Sequence, residues 1–311
     1  MRHSAQQQIT QFRAKPELNE IMVQLESVLL GKRHQIELAF ACLLARGHLL
    51  IEDIPGVGKT TLAHALGATL GLDWKRVQFT SDLLPADVIG VSIFNTDTQQ
   101  FDFRPGPVFT SILLADEINR SPPKAQSALL EAMEERQVSV DGVTHPLSDD
   151  FFVIATQNPS DQLGAFPLPE SQLDRFLVGI EIGYPDAATE RHLLEHGDRR
   201  AGTAQMPALV DSNTLDTWCQ QSQSLHIAAP VFDYVQALIL ATRNAGCGLS
   251  PRAGLNLVRL CRSYAFLAGR EHVLPEDVCT VFPALAGHRM TGRVSTGRQR
   301  AMDILEQVAM P

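Results

Sequence analysis

The stretch LLIEDIPGVGKTT, Leu49–Thr61, constrains this chain more than any other. A short apolar run enters a glycine turn, and a helix-compatible segment follows from Lys59 to about Leu70, closed by Gly71. A strand that turns into a helix over so few residues opens a βαβ unit, because a parallel partner strand is reached only through a crossover. The glycines also suit one kind of chemistry. A phosphate cradle needs backbone N–H groups converging on an anion with no side chain in the way; Gly56 and Gly58 offer that, and Val57 between them belongs to the same candidate nucleotide-binding loop. The helix that follows turns its positive end toward the same point. Lys59 is placed to reach the β- and γ-phosphates of a nucleotide, and Thr60, followed by Thr61, to help hold Mg²⁺.

One letter departs from the usual G-x-x-x-x-G-K-[ST] pattern. The first glycine position is Asp53, a carboxylate close to where phosphates would lie. Asp tolerates left-handed backbone better than most residues, so it is expected to replace glycine at a strand-ending turn. Its carboxylate is then expected to point away from the phosphates and to cap loop N–H groups or meet a cation.

Two further apolar runs, SILLADEINR (Ser111–Arg120) and DDFFVIATQNP (Asp149–Pro159), read as parallel strands buried on both faces. Between them KAQSALLEAMEERQ reads as a helix, with Ala125, Ala128, Leu129 and Met133 inward and Glu131, Glu134 and Glu135 outward. Helices over 17–30 and 33–46 precede the glycine loop. Strands alternating with helices imply an α/β fold, an αβα sandwich with a mainly parallel sheet. VSIFNTDTQQFDFRPG and QVSVDGVTHPL interrupt it as two β-hairpin inserts, the second turning at Asp141-Gly142. After Gly183–Thr189 the pattern is helical only, over about 187–196, 211–223, 230–245, 252–268 and 275–286. The expected division is a nucleotide-binding core at residues 1–185 and an all-helical lid domain at 186–311. Residues 1–10 and 305–311 are expected to be loose.

Asp116, at the end of its apolar strand, suits Mg²⁺ coordination through water, and Glu117 suits polarising an attacking water. With these residues in place, the chain resembles the MoxR family of AAA+ ATPases. The matching stretches are EDIPGVGKTTLA, SDLLPADVIG, FRPGPVF, LLADEINRSPPKAQSALLEAMEERQV, ATQNP, PLPESQLDRF and SPRAGLNLVR, which span about residues 15–290. The Asp53 variant of the loop also resembles one found within that family. The resemblance implies ATP and Mg²⁺ as cofactors and ATP hydrolysis as the reaction. It implies that Asn158 acts as sensor 1, orienting the lytic water. It implies that Arg175 is an arginine finger delivered to a neighbouring subunit's γ-phosphate. The competing reading of Arg175 is a local ion pair with Asp174. Arg252 resembles sensor 2, acting on its own or on a neighbour's nucleotide. Gly31, with Val28 and Lys32, matches the segment bordering the adenine. The roles of Arg104 and Arg120 do not follow from the sequence.

A finger that works in trans implies a homo-oligomeric ring, a hexamer. The family further implies remodelling or maturation of client protein complexes, including insertion of metal cofactors, with a partner carrying a von Willebrand A domain. Two alternatives compete: a nucleic-acid-stimulated, helicase-like motor, and a nucleotide switch that does not hydrolyse. The formal charge of −9 argues against a broad nucleic-acid surface. So does the second hairpin, where Val138 to Leu147 contains no Lys or Arg. Lys59, Glu117, Asn158 and Arg175 together argue against the switch. No run of about 20 apolar residues suggests a membrane span, and the N-terminus has no secretory pattern. Five scattered cysteines without C-x-x-C or zinc spacing point to reduced thiols and a cytoplasmic protein.

Overall fold

The computed structural model describes residues 16–159, 165–196, 203 and 206–311. The chain begins with α1 (Pro16–Val28) and α2 (Arg33–Leu44), then β1 (Leu49–Glu52), α3 (Lys59–Thr69), β2 (Trp74–Gln78) and the short α4 (Pro85–Ile89). Next come β3 (Gly90–Asn95), β4 (Gln100–Pro105), β5 (Ile112–Asp116), α5 (Pro123–Glu135), β6 (Gln137–Val140), β7 (Val143–Pro146), β8 (Phe152–Gln157), the short α6 (Glu170–Leu173) and β9 (Val178–Ile180). A helical part follows: α7 (Ala187–His196), α8 (Ser212–Gln223), α9 (Ala229–Asn244), α10 (Pro251–Leu267), α11 (Pro275–Thr291) and α12 (Val294–Gln307).

Five strands form one sheet in the order β2-β5-β8-β1-β9, and every pair is parallel. Parallel strands bring all their C-terminal ends to one edge, where ligands of open α/β sheets bind. Leu49 is level with both Ile154 and Val178, so β1 lies between β8 and β9 with its ends aligned to theirs. The three central strands are buried almost throughout, which is why they read as unbroken apolar runs. The edge strands were not legible in the same way. In β2 only Trp74 and Val77 are half-buried while Lys75, Arg76 and Gln78 are exposed, and β9 is three residues long.

Both expected hairpins form outside the sheet, β3 with β4 and β6 with β7. They meet through the stacked rings of Phe103 and His145, whose centroids are 3.9 Å apart.

In the helical part, Asp211 caps α8 through the Thr214 N–H and Ser250 caps α10 through the Ala253 N–H. Helix α11 does not end near residue 286. It runs through Pro283 to Thr291 and stops at Gly292, whose φ is +71°. Helix α12 is absent from the sequence expectation. Its buried face, Val294, Gly297, Ala301 and Ile304, has helical spacing, but two glycines flank or interrupt it and its mean hydropathy is low. Gly297 serves packing rather than chain breaking: a Cβ there would fall within bonding distance of the Gly287 carbonyl, so α11 and α12 cross at two glycines. The expected loose C-terminus is helical up to Gln307, and residues 1–10 lie outside the described residues.

The helical part shares the core of the sheet. Leu257 and Leu260 of α10 and Phe282 and Leu285 of α11 belong to the same apolar cluster as Leu18, Phe40, Leu49 and Val178. Among the described residues no helix is long and apolar enough to cross a membrane.

Candidate active site

The glycine loop joins the C-terminal end of β1 to the N-terminus of α3. Gly58 caps α3 in a left-handed conformation with φ +103°, and a Cβ there would meet Leu29 Cδ1 at 2.7 Å. Gly56 has φ +87°. Both positions therefore need glycine. The Lys59 ammonium donates to the Asp53 carbonyl at 2.7 Å. Burial lowers its pKa, and the carboxylates of Asp116, Asp53 and Glu117 oppose that shift. Lys59, Asp116 and Glu117, 57 and 58 residues apart in sequence, thus share one electrostatic neighbourhood. Thr60 is half-buried and Thr61 buried in the first turn of α3.

Asp53 turns away from the glycines. Its Oδ1 accepts the Ile54 N–H at 2.8 Å, and its Oδ2 accepts the N–H groups of Ile182 at 2.7 Å and Gly183 at 2.6 Å. The expected left-handed backbone is not there: among the described residues the non-glycine positions with positive φ are Arg46, Gln99, Glu117, Arg136 and Asp141. The carboxylate, not tolerance of an unusual φ, accounts for Asp at this position. Glu52, next to it, is also buried, and its Oε2 accepts the Val294 N–H at the start of α12. Burial raises the Glu52 pKa, and that hydrogen bond and Arg293 oppose it. Two adjacent acids therefore tie the strand before the loop to the β9 exit and to the last helix.

Strand β8 separates β1 from β5 and carries a residue that orders the acids. The hydroxyl of Thr156, fully buried, donates to Asp116 Oδ1 at 2.6 Å and accepts the Glu117 N–H at 2.9 Å. Arg76 of β2 donates to Asp116 Oδ2 at 2.6 Å. Glu117 sits in the left-handed region with φ 55°, and its carboxylate pairs with Arg120 at 3.1 Å. Among the described residues there is no group of three or more His, Cys, Asp or Glu that could cage a metal ion. Mg²⁺ bound with phosphates does not need one, because it keeps several waters and takes one or two protein oxygens. The Thr60 hydroxyl and the Asp116 carboxylate are the donors that suit it, since each carboxylate oxygen retains a second acceptor site. Asn158 follows β8 directly and lines a cavity of about 320 Å³ with Glu52, Asn119 and Arg293.

Beside the loop is a second cavity of about 390 Å³, walled by Val28, Leu29, Val57, Tyr184 and Leu194. An apolar slot next to a phosphate cradle suits a purine ring. Gly31, with φ +70°, is at its rim and not in its wall: a Cβ there would face Thr189 Oγ1 at 3.3 Å. Its neighbour Lys32 does reach the cavity and donates to the Tyr184 carbonyl at 2.7 Å.

Arg175 and Arg252 are elsewhere. Leu177 N–H donates to the carbonyl of His48, which precedes β1, so Arg175 lies at the N-terminal end of the strands. The four residues of β1, about 13 Å of strand, separate that end from the glycine loop. The end of α5 is there too, since Arg136 donates to the Arg46 carbonyl at 2.9 Å. Glu134 of α5 holds both guanidinium groups, Arg175 at 3.1 Å and Arg252 at 2.6 Å. The Arg252 hydrogen bond, with Arg252 and Arg175 charge, keeps the Glu134 pKa low. No local Asp174–Arg175 pair forms, because Asp174 pairs with Arg289 at 2.8 Å. These arginines line a cavity of about 530 Å³ with Arg46, Arg136 and Arg259.

Sequence reasoning missed Thr156, Glu134 and Arg289. Thr156 lies in ATQNP, and a polar residue within a buried run is the signal that identifies it. Glu134 read as a solvated helix face. Arg289 lies in GHRM, and nothing local marks it as buried.

The family described as the ATPase family associated with various cellular activities matches residues 48–178, and an AAA lid domain matches residues 239–308. The chain is 37% identical over 287 residues to the chaperone MoxR1 of Mycobacterium tuberculosis, covering 88% of this chain and 75% of that one. It is 43% identical over 278 residues to an uncharacterized protein, YeaC, of Bacillus subtilis, covering 88% and 87%. A crystal structure of a Cytophaga hutchinsonii protein assigned as an ATPase superimposes with a TM-score of 0.83 at 35% identity, covering 95% of each chain.

Proposed function

The chain belongs to the MoxR family of AAA+ ATPases, and from that membership we propose that it hydrolyses ATP with Mg²⁺ in a homo-oligomeric ring, remodelling or maturing client protein complexes. The carrying observation is the separation of two half-sites. Lys59, Asp116, Glu117 and Asn158 gather at the C-terminal edge of the sheet, while Arg175 and Arg252 share Glu134 at the opposite end. An arginine at that end does not reach its own glycine loop, so both arginines serve a neighbour's nucleotide. The ring, a hexamer, is what brings the half-sites together.

In this reading Gly56, Val57, Gly58 and Lys59 cradle the phosphates, and Thr60 and Asp116 hold Mg²⁺, largely through water. When bound, that ion offsets charge on the phosphate oxygens. Glu117 polarises the attacking water and Asn158 orients it. Arg175 offsets γ-phosphate charge in the transition state. Thr61 supports the first turn, and Gly31 lets the chain pass closely beside the base. The core comprises residues 1–185 and the lid residues 186–311. This division is supported by the end of β9 at Ile180 and the helices that follow. A client complex and a von Willebrand A domain partner come from the family likeness, as does a cytoplasmic setting. Against nucleic acid, His145 of the second hairpin is spent on stacking with Phe103, and Arg136 at its base on backbone carbonyls.

The test is steady-state ATPase activity of the full chain. Glu117→Gln should bind ATP and assemble while turnover falls at least about 100-fold, as expected on losing a group that handles the water proton. Turnover of that variant at the wild-type rate sinks the reading. Strong stimulation of the wild type by single-stranded DNA favours the motor on nucleic acid instead.

A further inference from the structure

The loop that carries Arg175 is held from two sides. Its N–H groups are met by the core: Arg175 by the Gln172 carbonyl, Phe176 by Leu173 and Leu177 by His48. Its carbonyls are met from the lid, by His288 Nε2 at Phe176 (3.0 Å) and above all by Arg289. The Arg289 guanidinium in α11 donates to the carbonyls of Asp174 at 3.1 Å, Phe176, and Leu177 at 3.2 Å. Its Nε also donates to Asp174 Oδ1 at 2.8 Å. The Arg289 side chain is 4% exposed, a degree of burial rare for arginine. The remaining Asp174 oxygen accepts from Ser250, the cap of the helix that carries Arg252. The same helical junction reaches the glycine loop's own strand, because the Val294 N–H, five residues after Arg289, donates to Glu52.

We infer that Arg289, with Asp174 as its counter-charge, is the positioning residue of the Arg175 finger, so that the lid fixes the backbone from which the finger projects while Glu134 of the core meets its guanidinium. This rests on the trans reading of Arg175 above. A planar fork with five N–H donors meets several carbonyls and a carboxylate at once, and a lysine ammonium in the same place does not. Placement matters because an error of about 1 Å in a catalytic group costs about 100-fold in rate. The junction touches the strand of one nucleotide site at Glu52 and the finger for the next site at Arg289. A lid shift at one site therefore changes the finger offered to the neighbouring one.

The experiment uses the full chain with ATP and Mg²⁺. Arg289→Lys should lose at least about tenfold in kcat with the KM for ATP nearly unchanged, as befits an interaction that matters in the transition state. It is then mixed with an equal amount of Glu117→Gln subunits, which have intact fingers and inactive sites. Turnover should return to about a quarter of wild type, half the sites being competent and half of those facing a sound finger. Arg175→Ala mixed in the same way is the reference, and Asp174→Asn, which keeps the side-chain shape, should complement like Arg289→Lys. If Arg175→Ala complements while Arg289→Lys and Asp174→Asn do not, Arg289 does not act through the finger and the inference fails while the ring reading stands. If Arg175→Ala itself fails to complement, the trans reading falls and this inference with it.

Discussion

Replacing Asp53 with glycine restores the common form of the loop, and the structure predicts that the protein becomes weaker for it. The Asp53 side chain is in a residue only 7% exposed and accepts three backbone N–H groups at 2.6 to 2.8 Å. Hydrogen bonds to a charged acceptor contribute about 1.5–3 kcal/mol each, and an orphaned buried donor costs about 1–3 kcal/mol. Ile54 and Gly183 are half-buried, so water recovers part of their bonds, whereas Ile182 is 1% exposed and its N–H stays unpaired. Added to the entropy that glycine brings to the unfolded chain, the net loss for Asp53→Gly is about 3 kcal/mol. Asp53→Asn keeps one oxygen for Ile182 and Gly183 but turns an amide NH₂ toward Ile54, and should lose about 1–2 kcal/mol. The assay is urea unfolding followed by far-ultraviolet circular dichroism and by the fluorescence of Trp74 in the sheet and Trp218 in α8. Coincidence of the two transitions licenses a single free energy. ATP affinity should change by less than about threefold, because the carboxylate faces away from Gly56 and Gly58. The reasoning is wrong if Asp53→Gly is as stable as the wild type, or if Asn is no better than Gly.

Two other outcomes follow from buried polar groups. Thr156→Val keeps shape but leaves Asp116 without its hydroxyl donor and the Glu117 N–H without its acceptor, and kcat should fall about 10–100-fold, the range for groups that orient catalytic residues. An unchanged kcat in the ATPase assay removes Thr156 from the positioning scheme. Burial and the Arg136 charge lower the His48 pKa to about 3, against 6.5 in the unfolded chain. The unfolded state binds that proton first, so the contribution of His48 is complete above about pH 6.5 and is lost progressively as pH falls toward 3. Between pH 7 and pH 5 the loss is about 2 kcal/mol. His288, shifted the same way by burial and Arg289, adds to it. Urea midpoints at the two pH values test this, and a midpoint that does not move contradicts it.

The elements that read correctly are those whose pattern is local. Strands β1, β5 and β8 are buried on both faces and show it along their whole length, whereas β2 is an edge with only Trp74 and Val77 half-buried, on opposite faces, and β9 is too short to carry a period. The hairpin at Asp141-Gly142 was legible because its turn demands positive φ at both residues, and both have it. Helix α12 is not legible, because Gly292 and Gly297 disrupt its local pattern and the fit of Gly297 against Gly287 exists only once the two helices pack.

Taken alone, the sequence determined the local geometry at the C-terminal edge of the sheet. Glycine at positive φ, a lysine in the first turn of a helix and acids at the end of a buried strand act through backbone geometry within a few residues of themselves. Only the tertiary structure decided who meets whom across long separations. It turned Asp53 toward Ile182 and Gly183, 129 and 130 residues away. It seated Arg175 beside Glu134, and Asp174 on Arg289, 115 residues on. The physical reason is that a charged side chain in a folded protein is fixed by whichever opposite charge or unpaired backbone group packing delivers to it. That delivery is set by the order of the strands in the sheet and, for Arg289, by how the helical part lies against it, which no local pattern encodes.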